Sequence, residues 1–158
     1  MRRRGITLCH AAVIAITLAT AGELWAGGGV GPSLNVCTKA EFEAVVDHAA
    51  AALRRLNMKN KPVFQENLRK LKEKRGWSHD AFLKEAVPFV RDDRITVFDQ
   101  QSERLLSDIS TMGQVGAQAK TPDCKLLLEL RARMNVLVET QASKWIYMFE
   151  KLDAAMWE

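Results

Sequence analysis

The sequence predicts an all-α fold: a single-domain bundle of four to five helices with a long C-terminal helix and a kink or break at Pro88. Three observations carry that prediction. Apolar residues recur at spacings of three and four along most of the 158 residues. No stretch sustains the period-two alternation of a strand, and cap residues stand where the apolar stripes begin. With 47% hydrophobic and 27% charged residues, and only four prolines, the composition suits one ordinary core with little loop.

The first 26 residues read as an address. Met1-Arg2-Arg3-Arg4 is a basic start, and Ile6 to Leu18 is an apolar run without Asp, Glu, Lys or Arg. Small residues follow at Ala19-Thr20-Ala21 and Ala26-Gly27-Gly28-Gly29, which completes the secretory pattern. The apolar run is shorter than the ~20 residues that span a membrane, so an uncleaved anchor is the weaker alternative. Cleavage is expected after Ala21 or Ala26, with Ala26 preferred for the glycines behind it. Cys9 lies inside the apolar run and not after it, against lipidation. Residues 27–37 then form a flexible lead, and 38–158 the bundle. The expected destination is the periplasm or the exterior.

Removing the signal leaves 20 basic and 18 acidic residues, so the net charge of +4 falls to +2. A nucleic-acid partner loses its support with it. Cys37 and Cys124 become the two remaining cysteines, and an oxidising compartment favours a disulfide between them. Two buried thiols or an intermolecular bridge are the alternatives. A bridge closing 87 residues would stabilise by roughly 4.5 kcal/mol on the loop-entropy view.

The helices follow in order. Thr38 and Glu41 form a capping box, and Phe42, Val45, Val46, Ala49, Leu53 and Leu56 make the stripe of a helix from about Lys39 to Asn57. Asn57 to Pro62 reads as a break, with Pro62 opening a second helix through Phe64, Leu68 and Leu71 to Gly76. Ser78 caps a short third helix carrying Phe82, Ala86 and Phe89, with Pro88 inside it. Ile95, Phe98, Leu105, Ile109 and Met112 belong to a fourth, ending near Gly113 to Gly116. The last follows Thr121-Pro122-Asp123, along the seam Leu127, Leu130, Met134, Leu137, Gln141, Trp145, Met148 and Leu152. Both bridged cysteines border helix N-termini, so the first and last helices should run parallel. An up-down four-helix bundle would make them antiparallel, and a true reversal at Pro88 would resolve this.

The chemistry is sparse. The chain lacks the Glu-x-x-His quartet of a di-iron bundle, a zinc ligand set, the haem-attachment motif, a nucleophile elbow and a phosphate loop. No enzyme, metal or cofactor is expected. The readings left are a non-enzymatic exported protein that binds a macromolecular partner, in an envelope accessory or chaperone-like role, and a bundle holding a small ligand or haem through His48 or His79. Two features could bind another protein or an anionic membrane surface. One is the basic block ending in Arg69, Lys70, Lys72, Lys74 and Arg75; the other is the aromatic tail with Tyr147 and Trp157. The plain alternative for the block is a solvated helix face, with Lys74 and Arg75 complementing a helix C-terminus.

Overall fold

The structure, a computed structural model, describes residues 37–121 and 123–158. The signal peptide, its cleavage at Ala21 or Ala26 and the lead over 27–36 lie outside the described residues. Within them every regular element is a helix: α1 (Lys39–Lys74), α2 (His79–Glu85), α3 (Val87–Val90), α4 (Asp93–Gln118) and α5 (Cys124–Trp157). No helix among the described residues is long and apolar enough to cross a membrane.

The predicted break before Pro62 is absent. α1 is one helix of 36 residues that passes through Pro62. Proline removes one backbone donor and crowds the preceding turn, at a cost of about 3 kcal/mol in a helix interior. What outweighs it is phase: Leu53, Leu56, Phe64, Leu68 and Leu71 keep one helical stripe across the proline. Phe64, Leu68 and Leu71 on that stripe are buried, while Pro62 faces solvent. α4 likewise runs through Gly113 and Gly116 to Gln118, past the predicted end.

The caps are those the sequence signals. The Thr38 hydroxyl accepts from the Glu41 amide while the Glu41 carboxylate accepts from the Thr38 amide. Gly76, at φ 62°, takes the left-handed turn that ends α1. Ser78 caps α2, Asp92 caps α4 and Asp123 caps α5. Pro88 occupies the first turn of α3, where its missing N–H is not needed.

α5 is the spine. It packs along α1 on one side and α4 on the other. Cys37 and Cys124 are within bonding distance at one end, with Cα atoms 5.3 Å apart. At the other end Arg75 meets Ala155, and midway the Trp145 indole donates to the Asn57 side chain at 3.2 Å. α1 and α5 are therefore parallel. α4 runs antiparallel to α5, pairing Asp99 with Lys144 and Asp108 with Arg133. Because Pro62 does not break α1, three long helices alternate in direction and the first and last agree without a further reversal.

Candidate functional site

The sequence singled out the basic end of α1 and the aromatic end of α5, and parallel packing places them at the same end of the bundle. Their carbonyls meet there too. The last carbonyls of a helix have no partner within it and carry the negative pole of its dipole, so two parallel helices ending together leave two such poles side by side. Lys74 answers by donating its ammonium to the Met156 carbonyl. Arg75 donates to the Ala155 carbonyl at 3.0 Å and to Glu158 at 3.3 Å. Two of the five predicted basic binders thus cap α5.

The others divide. Arg69 grips Glu66 and Glu73 at 2.7 and 2.6 Å, so much of its charge is answered on its own helix. Hydrogen bonding to Arg69 pulls the Glu66 carboxyl below its ordinary range, and the same bond raises the Arg69 guanidinium. Lys70 stands 3.9 Å from Glu66, a loose approach at the surface. Lys72 lies over the Phe82 ring, 5.6 Å from its centroid.

Tyr147 is not with this group. It faces the start of α4, where its hydroxyl donates to Asp92 at 2.9 Å, and Arg94 lies 4.5 Å over its ring. Lys151 also donates to Asp92 and to the Pro88 carbonyl. Burial raises the Asp92 carboxyl, but the Ile95 amide, Lys151 and the Tyr147 hydroxyl together outweigh it and hold the group at about 2. The hydrogen bond to Asp92 pushes the Tyr147 phenol up. This cluster clasps α3, α4 and α5 together.

Trp157 is 90% exposed and lies in sequence between Ala155 and Glu158, the two residues that Arg75 touches. Leu83 of α2 and Val87 and Val90 of α3 are exposed at the same end. Sequence reading passed over these three because α2 and α3 are too short for a stripe to show two faces. Large apolar side chains left in the open toward one end of a bundle are candidates for a contact surface.

A second feature lies at the opposite end. A groove of about 590 Å³ opens between the start of α1 and the end of α4, floored by Phe42, Val46, Gly113, Gly116 and Leu130. Lys39, Glu43, Asp47 and Lys120 rim it. The small residues of α4 were its signal in the sequence, but they read as a helix end. A Cβ on Gly116 would come 3.3 Å from the Phe42 ring, so glycine lets that ring in. His48 is exposed, and neither it nor His79 lines the groove. No group of three His, Cys, Asp or Glu among the described residues is placed to hold a metal ion.

Comparison of the chain with known protein families, with curated proteins and with solved structures finds no match.

Proposed function

We propose that the chain is an exported, non-enzymatic helical protein that binds another protein through the end of its bundle where α1 and α5 finish, in an envelope accessory or chaperone-like role. The observation that carries this reading is the exposure of Trp157, Leu83, Val87 and Val90 toward the end of the bundle where Lys74 and Arg75 cap α5. Aromatic and apolar anchors ringed by charge suit a protein interface. Asp80, Glu85, Asp93, Asp153 and Glu158 are exposed at the same end among Lys84, Arg91 and Arg94, and a surface of mixed sign favours a protein over an anionic membrane. In this reading a break at Pro88 turns Val87 and Val90 outward. Export rests on the amino-terminal pattern and on a cysteine pair suited to an oxidising compartment.

The test is site-specific photo-crosslinking in the intact producing cell. A photoreactive residue at position 157 should give one dominant protein adduct, lost with Leu83→Ser and Val87→Ser, while one at the exposed Leu128 should not. Adducts that are absent at 157, or the same from both positions, would overturn the reading. Intact mass of the exported chain should show loss of the first 21 or 26 residues.

The groove between α1 and α4 favours one second reading, a small apolar ligand at the disulfide end. Haem is the weaker form of it, since no histidine lines the groove. An absorption spectrum of the protein from its native compartment decides, because a Soret band would establish haem.

A further inference from the structure

We propose that the hollow between α1 and α2 is a binding site for a phosphate group, held by Lys72, Arg69 and His79 above an apolar floor. The site follows from local sequence. Arg69 and Lys72 are three residues apart and so project from one face of α1. The left-handed turn at Gly76 reverses the chain, and the Ser78 cap starts α2 at once, so His79 and Phe82 fold back toward that face. The result is a hollow of about 440 Å³ lined by Gln65, Leu68, Arg69, Lys72, His79 and Phe82.

Its chemistry is one-sided. Every titratable side chain in the lining is basic, Gln65 adds an amide donor, and no carboxylate lines the hollow. Lys72 forms no ion pair with any described residue; it rests on the Phe82 ring, within reach of an incoming anion. Arg69 is fixed by Glu66 and Glu73, which orient its fork while weakening its pull. Leu68 and Phe82 give an apolar floor. The volume exceeds a bare phosphate and falls within the range of small-ligand sites, so the ligand is a phosphate carrying an apolar or aromatic substituent. That chemistry belongs equally to a soluble phosphate ester and to a phospholipid headgroup. The site uses none of Trp157, Leu83 or Val87, so it stands or falls apart from the protein interface proposed above.

The experiment uses the oxidised mature chain, titrated with inorganic phosphate at constant ionic strength and fixed pH, and follows the ring signals of its two histidines by NMR. His79 should move along a saturable curve, with His48 as the internal control that stays still. Lys72→Gln keeps an aliphatic stem over Phe82 and should weaken the apparent affinity about three- to tenfold, with an unchanged circular-dichroism spectrum. Glu66→Gln should tighten binding, because it frees Arg69 from a competing carboxylate. Trp157→Ala should leave the curve unchanged. Co-sedimentation with phosphatidylglycerol and phosphatidylcholine vesicles separates the sources: selective pelleting with the acidic lipid that fails in Lys72→Gln identifies a headgroup, and phosphate binding without pelleting identifies a soluble ester. His79 moving no more than His48, or a curve insensitive to Lys72→Gln, would overturn the site.

Discussion

The two ends of the bundle are held by different physics. Toward the end of α1 and α5, Phe64, Leu68, Leu71, Ile95, Met148 and Leu152 are buried together, with Trp145, Phe149, Phe82 and Phe89 packed around them. Phe64 stands edge-on to Trp145 and Phe149 at 5.8 and 5.5 Å, the favoured arrangement for aromatic pairs. At the other end the buried cluster is Ala49, Met112, Leu130 and Met134, and a groove lies open beside it. A polar step separates the two, where Gln141 donates to the Ser102 hydroxyl at 2.7 Å. The cysteine pair sits at the thinner end. Among the described residues the well-filled end carries no cysteine, and the end with the open groove carries the pair.

The largest effect should come from the aromatic end. Phe64→Ala removes a ring that touches two others and should cost about 3–5 kcal/mol, read from the denaturant midpoint at constant slope. Met112→Ala, in the thinner cluster, should fall near the low end of the range for such truncations, about 2 kcal/mol, because the groove beside it lets neighbours relax. Equal losses would break the contrast.

Next comes the bridge. Cys37→Ser, Cys124→Ser and the double variant should each lose about 2–4 kcal/mol, and by the same amount, since any of them removes the same bond. Hydrogen exchange should place the loosening at the start of α1 and α5. Two reactive thiols in the natively exported monomer, or additive single losses, would show that no such bond forms.

At the aromatic end acid should act through Asp92. Asp92 is held at about 2, below the ~3.9 of an unfolded aspartate, so its contribution is complete above pH ~4 and is lost as pH falls toward 2. Partial exposure reduces the effect to about 1 kcal/mol. Asp92→Asn should flatten stability over that window. A profile that keeps its acid step in the variant would assign the step elsewhere.

The smallest effect sharpens the picture of the thin end. Gly113 has an ordinary helical backbone, and nothing lies within 4 Å of the place its Cβ would take. Gly113→Ala should raise the unfolding midpoint, by about 0.5–1 kcal/mol of added stability. Gly116→Ala should gain less, because its methyl must displace the Phe42 ring.

Much of this was legible in the sequence, and the failures are physical ones. Capping boxes and stripes act within four residues, so the helices at Thr38, Ser78 and Asp123 were readable. The parallel run of first and last helices followed from the position of two cysteines. Pro62 misled because a local rule was applied where a tertiary one won: the stripe from Leu53 to Leu71 stays in phase against α5. The binding features were less legible. Lys74 and Arg75 read along the chain as complements to the end of their own helix, and their carbonyl partners on α5 lie 82 and 80 residues away. Tyr147 fell off the seam of α5 because it serves a different neighbour, the Asp92 cap of α4.

The position of the cysteine pair also bears on how the chain finds its fold. α1 and α5 join residues more than 80 apart, and closing so long a loop is a slow, entropically costly step. A bond formed first at Cys37 and Cys124 holds the two N-termini in register, so the parallel helices can then zip turn by turn toward the aromatic end. A distant search becomes a local one. In stopped-flow experiments the oxidised chain should refold faster than the reduced one, with the unfolding limb little changed. Identical folding limbs would mean that α1 and α5 pair only after the barrier has been crossed.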